Sequence, residues 1–286
     1  MSHETRRIGR FEITAILDAD IPDEPMSDAF PDVPTTELEK AKVAFADTYT
    51  EDDRWRLRIR VWLVFHPAGS LLLDTGLGGP ASPAQSWAQQ PGALLSELDG
   101  LGIGLDAIEA VAISHVHDDH IGGLLTEDGS PVCPNARYVV QRADVEWLRA
   151  AAVDDDEAAA AWRLLETIEK AGLIDAIDGD HRLGDGMDLW HLPGHTPGHQ
   201  VLLLADGSER MVLSADTWNH PVQLSNPDWP SGSDHDHAGA AASRRSLLAD
   251  LETYPGALVG PTHFAESFGE IRRTADAWSW VPAASR

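Results

Sequence analysis

One short segment, residues 114–120, carries three histidines and two aspartates in the order Ser-His-Val-His-Asp-Asp-His. It follows the apolar residues 110–113, a run that is typical of a buried strand. Imidazole nitrogens and carboxylate oxygens are the ligands that Zn²⁺ and similar cations prefer. On a regular helix His115 and His120 would point to different faces, so their convergence on one ion requires an irregular turn. The segment therefore predicts a metal site directly after a strand.

Three further polar groups occupy comparable places later in the chain. His195 lies in the turn Pro-Gly-His-Thr-Pro-Gly-His of residues 193–199, Asp216 follows the apolar residues 211–213, and His263 follows the apolar residues 257–259. Each group is predicted to lie where a strand stops.

In this order the residues resemble the ligand series of the metallo-β-lactamase superfamily. Its HxHxDH motif, later histidine, aspartate and final histidine match His115, His117, Asp119, His120, His195, Asp216 and His263. The sequence Leu-Asp-Thr-Gly at residues 73–76 agrees as well, so the resemblance extends from about residue 11 to residue 264. The segments after Asp216 are similar to the branch that contains N-acyl-homoserine lactone hydrolases and methyl-parathion-type hydrolases.

The resemblance implies a site with two divalent metal ions, Zn²⁺ first and manganese, cobalt or iron as alternatives. His115, His117 and His195 would bind the first ion, Asp119, His120 and His263 the second, and Asp216 would bridge them. Such a pair of ions lowers the pKa of a bridging water and polarises a carbonyl or phosphoryl oxygen. After the metal-bound hydroxide attacks the substrate, Asp119 and Asp216 could relay the proton that is released. They are therefore the predicted catalytic residues.

Two predictions concern residues beside the ligands. Asp74, at a predicted strand end, would accept a hydrogen bond from the non-metal nitrogen of a ligand histidine. His199 is predicted to be structural, because the superfamily uses the first histidine of its turn. The sequence Asp-His-Asp-His at residues 234–237 is interpreted as an accidental polar loop, with a metal site as the alternative.

A substrate pocket is predicted in the segment after Asp216. Trp218 and Trp229 could line an apolar pocket or belong to the core. The related lactonases carry a tyrosine at the position of Asn219. Either Asn219 or His220 could replace that tyrosine as a hydrogen-bond donor.

The composition limits the class of partner. The 286 residues include 47 acidic and 21 basic side chains, and the resulting net charge of −26 would repel nucleic acids and anionic membranes. No apolar run is long enough to cross a bilayer, and no secretory signal is recognisable. Cys133 is the only cysteine, which fits a reducing compartment. We expect a cytoplasmic monomer or homodimer that acts on a small molecule.

The elements that must position these residues alternate between strand and helix patterns in two similar halves. Strands are predicted at residues 11–17, 55–65, 70–73, 138–141, 189–192 and 200–204, and helices at residues 36–46, 91–98, 143–151, 157–171 and 247–253. This order matches a single α/β domain over residues 1–286, the four-layer αβ/βα sandwich of the superfamily, with two sheets face to face and helices outside. Residues 22–53 are expected to lie over the metal cleft or to form a solvated loop.

Hydrolysis is the reaction class that the resemblance implies. The predicted enzyme is a metal-dependent hydrolase that attacks a lactone or carboxylic ester with a metal-bridging hydroxide, and an uncharged substrate with an apolar tail is expected. Phosphotriester hydrolysis is the first alternative, because the same hydroxide attacks either centre. Thioester hydrolysis of the glyoxalase II type is the second. A non-enzymatic metal-binding module is the third, and the complete ligand set weighs against it.

Overall fold

Two seven-stranded sheets form the centre of the computed structural model, which describes residues 3–274 and 277–284. Residues 1, 2, 275, 276, 285 and 286 of the predicted domain lie outside the described part. The first sheet contains β1 (Glu4–Ile8), β2 (Phe11–Pro25), β3 (Arg54–His66), β4 (Gly69–Leu73), β5 (Ala110–Ala112), β6 (Arg137–Gln141) and β7 (Ile174–Ile177). The second contains β8 (His181–Gly184), β9 (Met187–His191), β10 (Gln200–Asp206), β11 (Glu209–Ala215), β12 (Leu258–Pro261), β13 (Gly269–Arg273) and β14 (Trp278–Pro282).

The strand order in each sheet follows the chain, and each sheet combines both kinds of pairing. In the first sheet β1 to β4 pair antiparallel, whereas β4 to β7 pair parallel. In the second sheet β11 and β12 form a parallel pair between antiparallel neighbours. Parallel strands end at the same edge of a sheet, so the loops after β4 and β5 lie together, as do those after β11 and β12.

Some of the helices cover the outer faces of both sheets, and the others lie in the segments between strands. The helices are α1 (Met26–Ala29), α2 (Thr35–Ala44), α3 (Gln85–Ala88), α4 (Leu94–Gly100), α5 (Asp118–Ile121), α6 (Arg142–Ala151), α7 (Asp156–Lys170), α8 (Val222–Ser225) and α9 (His237–Thr253), with 3₁₀ turns at Ala46–Thr48 and Leu105–Ala107. None of the described helices combines the length and apolar character that a membrane span requires. The predicted layered architecture is confirmed.

The core between the sheets is apolar and is shared by both of them. Strand β3 shows why, because its side chains are buried on both faces: Trp62 packs in the cluster between the sheets and Leu63 packs under the helices of the first sheet. From the second sheet, Leu202 and Leu213 meet Trp62 in the central cluster. Burial of both faces fits the change in this strand from alternating residues to a continuous apolar run.

The structure corrects several predicted boundaries. The helix predicted at residues 247–253 begins at His237, where the Asp236 side chain accepts a hydrogen bond from the backbone N–H of Ala238. Small residues fill the first turns of α9 and give no apolar periodicity. The helix predicted from residue 36 begins at Thr35 after Pro34, and no side chain caps it. The sequence patterns do not predict strands β1, β7, β8, β13 and β14, because these strands are short and much of their surface is half-buried or exposed.

The excursion between β2 and β3 packs against the first sheet and is not a solvated loop. Phe30 and Val33 from this excursion form an apolar cluster with Trp55 and Leu57 of β3 and with Leu77 of a neighbouring loop. Asp23 and Glu24, at the end of β2 and at the start of the predicted segment 22–53, line the cavity described below, which agrees with the expectation that this segment lies over the cleft.

Candidate metal centre

The structure brings all seven predicted ligand residues to one edge of the sandwich. They lie after β5, on the short helix α5, between β9 and β10, and directly after β11 and β12. Their donor atoms form three groups in which every atom lies within 4.8 Å of the others. The groups are His115 with His117 and His195, His115 with His120 and Asp216, and Asp119 with His120 and His263.

Asp216 lies at the middle of this arrangement. One of its oxygens, Oδ2, is 3.0 Å from Nε2 of His263 and 3.4 Å from Nε2 of His195. The other, Oδ1, is 3.3 Å from Nε2 of His120. Because histidines from both predicted metal groups surround this carboxylate, its position suits a shared ligand.

Three of the donor atoms that face inward lack the partners that buried polar atoms normally have. Nε2 of His120, Nε2 of His195 and Oδ1 of Asp216 are buried and, although the two nitrogens lie 3.3 and 3.4 Å from the Asp216 carboxylate, none of the three forms a hydrogen bond of acceptable geometry among the described residues. Buried unpaired polar atoms are costly and uncommon in proteins. Cations held by these nitrogen and oxygen atoms would satisfy all three, and the mixed donor set suits Zn²⁺. The residues therefore fit two divalent metal ions.

The outward-facing ring nitrogens of four of these histidines, His115, His120, His195 and His263, are in contrast engaged. Nδ1 of His120 is 2.9 Å from a carboxylate oxygen of Asp74. Nδ1 of His263 donates to the backbone carbonyl of Arg58 at 2.7 Å, and Nδ1 of His115 lies 3.1 Å from Oγ of Ser114. These contacts orient the rings and direct Nε2 toward the other donor atoms.

Asp74 holds the ligand segment as well as one ligand. It accepts hydrogen bonds from the backbone N–H and the hydroxyl of Ser114, both at 2.7 Å. Its backbone adopts a left-handed φ of 68°, which is uncommon outside glycine and occurs readily for aspartate. This conformation at the end of β4 turns the side chain toward the metal centre, where the sequence predicted it.

Strain and hydrogen bonds fix the carboxylate of Asp216 in a similar way. Ala215, the residue before Asp216, has a left-handed φ of 43°, a costly conformation for a residue with a Cβ. Nε2 of His199 accepts a hydrogen bond from the backbone N–H of Asp216 at 3.2 Å, and Nδ1 of His199 faces the carbonyl of Leu192. His199 has the structural role that the sequence indicated, because both of its ring nitrogens serve the backbone.

The imidazole and carboxylate groups of the centre act on one another, and their pKa values shift in opposite directions. Burial and the nearby His195 lower the pKa of His117 to about 3. Burial also acts to lower the pKa of His195, but the carboxylates of Asp216 and Asp234 outweigh it and raise the pKa to about 9. Asp216 has a pKa well below its usual value, because His263 and His120 outweigh the effect of burial. A metal ion must therefore displace protons from some of these imidazoles.

A cavity of about 250 Å³ opens beside the metal centre. Trp55, Leu57 and Trp87 supply apolar wall, and Asn219 lies deeper in the wall beside the centre. Three further carboxylates line it in addition to the predicted ligands Asp119 and Asp216: Asp23, Glu24 and Asp118. The cavity is therefore partly apolar and carries negative charge.

The structure corrects the predicted substrate pocket in three of its four residues, which do not line this cavity. Trp218 is fully buried in the core cluster on the outer face of the second sheet. His220 is fully buried too, with the rings of Phe30, Phe45 and Tyr49 within 6.0 Å. Its Nε2 lies 2.7 Å from Oγ1 of Thr48, and burial lowers its pKa to about 3, so it anchors the excursion instead of meeting substrate.

The third of these residues, Trp229, is half-buried and packs on the apolar cluster of the same excursion. Asn219 does line the cavity, but its amide donates to Oδ2 of Asp216 at 2.9 Å. Its donor group is therefore directed at the shared carboxylate. The predicted role as a replacement for the lactonase tyrosine does not follow from this contact.

Residues 234–237 are neither an accidental loop nor a metal site. None of the metal-binding groups found among the described residues includes them. Asp236 caps α9, whereas Asp234 is buried and contacts His195. Sequence reasoning missed Asp234, and its spacing of ten residues from Arg244, which it contacts, gave no recognisable signal.

Comparison with known proteins gives a consistent result. Residues 54–263 match the family model of the metallo-beta-lactamase superfamily. The chain is 38% identical over 100 residues to an N-acyl homoserine lactonase of Bacillus sp., covering 35% of this chain and 34% of that protein. It is 25% identical over 182 residues to the N-acyl homoserine lactonase of Bacillus cereus, covering 58% of this chain and 66% of that protein. The matched segments thus span about a third to two thirds of these relatives.

Solved structures show the same fold over nearly the whole chain. AidC, a dizinc quorum-quenching lactonase in complex with a product, superimposes with a TM-score of 0.85 at 24% identity, covering 99% of this chain and 98% of that one. The hydrolase AbOPH of the beta lactamase superfamily has a TM-score of 0.84 at 21% identity and the same coverage. At this level of identity the likeness concerns the fold.

Proposed function

Because the chain belongs to the metallo-beta-lactamase superfamily, we propose that it is a dinuclear metal-dependent hydrolase that opens lactones or cleaves carboxylic esters. The observation that carries the proposal is the convergence of buried, unpaired donor atoms of His120, His195 and Asp216 beside a partly apolar cavity. A purely structural arrangement would leave these atoms unsatisfied at considerable cost.

The seven predicted ligands would divide between two sites. His115, His117 and His195 would hold one ion, Asp119, His120 and His263 the other, and Asp216 would be shared. Two divalent ions, when bound, supply an activated water and a Lewis acid for the carbonyl oxygen. Asp119 belongs to one of the groups of donor atoms, and its side chain is 12% exposed and lines the cavity. Its carboxylate is therefore in position to carry a proton between the centre and the cavity.

The cavity supports an uncharged substrate. Trp55, Leu57 and Trp87 offer apolar contact, whereas Asp23 and Glu24 would repel an anionic group. This charge disfavours a glutathione thioester, whose tripeptide carries carboxylates. A volume of about 250 Å³ lies just below the range of pockets for drug-sized ligands, and it suits a compact ring. The names of the relatives, N-acyl homoserine lactonases, support a lactone in particular.

We extend the proposal to the ion, the location and the domain. Zn²⁺ is supported by the nitrogen and oxygen donor set. A single domain is supported by the apolar cluster that both sheets share. The cytoplasm is supported by the single cysteine, Cys133, which is buried and unpaired in a chain without a second thiol. A monomer or homodimer remains our expectation, to be measured by sedimentation.

A substrate panel tests the function. The zinc-loaded protein is assayed with an acyl-homoserine lactone series, simple aliphatic lactones, a thioester and a phosphotriester, and kcat/KM is compared under identical metal loading. We expect the highest value for a lactone with an apolar tail. A preference for the phosphotriester by more than about 100-fold, near 2.7 kcal/mol of transition-state discrimination, would contradict the proposal.

A further inference from the structure

Asp234 is a buried carboxylate beside the metal centre that none of the predicted roles uses. Its side chain has no solvent exposure. Oδ1 lies 2.9 Å from Nδ1 of His195, while Oδ2 accepts from Nη1 of Arg244 at 3.1 Å and from the backbone N–H of Ser231 at 3.0 Å. Both carboxylate oxygens of Asp234 therefore have partners. Asp234 itself lies on the side of His195 that faces away from the other predicted ligands.

Arg244, the second member of this network, projects from α9 and is 1% exposed. Its Nε donates to the carbonyl of Pro227 at 2.7 Å, so the guanidinium is fixed at two points. A buried arginine is tolerated only when a partner compensates its charge, and Asp234 is the carboxylate that does so. The ion pair in turn keeps Asp234 charged and oriented toward His195.

The backbone joins the same loop to the turn that carries the ligand. The N–H of His235 donates to the carbonyl of His195 at 3.0 Å, and that of Asp236 donates to the carbonyl of Gly194 at 2.8 Å. Gly194 has a φ of +136°, and a Cβ there would lie 2.0 Å from the backbone nitrogen of Ala240. The turn, the loop and the start of α9 are thus packed as one unit.

We propose that Asp234, held by Arg244, is the positioning residue of His195 and sets the affinity of the metal site to which that histidine belongs. With Nδ1–H donated to Asp234, the ring has one tautomer and one orientation, and Nε2 presents its lone pair to the centre. Asp74 has the equivalent contact with His120. Each of the two predicted metal sites therefore contains one histidine anchored by a carboxylate.

This arrangement makes the effect of Asp234 selective. His117 and His195 share a predicted site with His115, whereas His120 and His263 belong to the other. Loss of the Asp234 charge should weaken the binding of one of the two metal ions and leave the binding of the other nearly unchanged. The inference rests on the proposed metal centre, but its test needs no substrate, so a failure of the proposed lactone chemistry would not affect it.

The experiment is a metal titration of Asp234→Asn against a chromophoric chelator, with Zn²⁺ and with Co²⁺. The substitution keeps the shape of the side chain and removes its charge. We expect one of the two equivalents to bind about 10 to 100-fold more weakly, the usual scale for residues that orient a metal ligand, with a change in the Co²⁺ absorption of that equivalent alone. Arg244→Lys, which keeps the charge but loses the contact of Nε with Pro227, should weaken the same equivalent by a smaller factor.

Asp250→Asn is the matched control. Asp250 forms an ion pair with Arg210 at 3.0 Å and belongs neither to the metal-binding groups nor to the lining of the cavity beside them, so this variant should titrate like the unaltered protein. Unchanged affinity for both ions in Asp234→Asn and Arg244→Lys would overturn the proposal. Equal weakening of both equivalents, together with a lower Tm of the metal-free protein, would also overturn it, because that pattern indicates a general structural role.

Discussion

The two ends of the sandwich differ in how completely their buried polar atoms are provided with hydrogen-bond or ion-pair partners. At the far ends of β11 and β12, an open groove of about 980 Å³ is larger than the 250 Å³ cavity of the metal centre. Its arginines have carboxylate partners, which are Arg6–Glu4, Arg7–Glu12, Arg210–Asp250 and Arg272–Glu270. At the metal centre, buried atoms of His120, His195 and Asp216 have none. Among the described residues that line the groove, one buried side-chain atom, Nε of Arg210, also lacks a partner. The convergence of unsatisfied donor atoms from three side chains, and not volume, distinguishes the end that we propose to be catalytic.

The sharpest test of this comparison is Asp216→Ala. Because its two oxygens face histidines of both predicted sites, its removal should separate the sites and lower kcat/KM for the best lactone by at least about 1,000-fold, equivalent to several kcal/mol. The fold should persist, as judged by circular dichroism. Near-normal activity with normal metal content would show that Asp216 is not the shared ligand.

Arg272→Ala in the large groove is the control for the same comparison. This arginine is 58% exposed on its side chain and pairs with Glu270, and surface pairs of this kind contribute little. We expect unchanged kcat/KM. A loss of activity comparable with that of Asp216→Ala would mean that the groove takes part in the reaction.

A smaller effect is expected from Asp74→Ala. This substitution removes the acceptor for Nδ1 of His120 and two hydrogen bonds from Ser114, so metal affinity or activity should fall by about 10 to 100-fold. Asp74→Asn separates the effect of the lost charge from that of an altered backbone conformation, because asparagine tolerates the left-handed φ of 68° at this position. If Asp74→Ala bound metal as tightly as the unaltered protein, the contact would have no part in orienting His120.

The region between the metal centre and the surrounding helices can be tested through the pH dependence of stability, because it contains the buried carboxyl group of Asp144. Burial raises its pKa to about 6, although hydrogen bonds from Thr196 and Gly198 to its carboxylate lower it. The folded protein therefore binds this proton more tightly than the unfolded chain. The stability that the proton confers is present below pH 4 and is lost as the pH rises through 6.

Comparison with Asp144→Asn isolates that contribution. In metal-free protein, the free energy of unfolding of the unaltered chain should fall relative to the variant by up to about 3 kcal/mol between pH 4 and pH 7. Urea unfolding of both proteins at several pH values measures the difference. Parallel pH profiles would contradict the raised pKa.

The metal centre could be predicted more completely than its surroundings. Four of the seven ligand residues lie within residues 115–120, and each of the others follows an apolar run that ends a strand, so local patterns suffice. The contacts of Asp234 and His220 depend instead on distant parts of the chain. His220 packs on Phe30 and Phe45, more than 170 residues earlier, and no local pattern in the sequence encodes such a pairing.

The tryptophans illustrate the same limit. Trp218 and Trp229 follow Asp216 closely, but Trp218 packs in the core, Trp229 packs on the excursion, and the cavity is lined by Trp55 and Trp87 from the first half of the chain. Which aromatic side chain faces a cavity is decided by packing between the two sheets and the excursion. Residue type alone predicts only that such side chains avoid water.

The metal content of the protein, purified without chelator and equilibrated with Zn²⁺, tests the central claim most directly. The unpaired donor atoms of His120, His195 and Asp216 predict close to two equivalents of Zn²⁺ per chain by elemental analysis. A reproducible value near zero would contradict the account, because the buried atoms would then have to be satisfied without a cation.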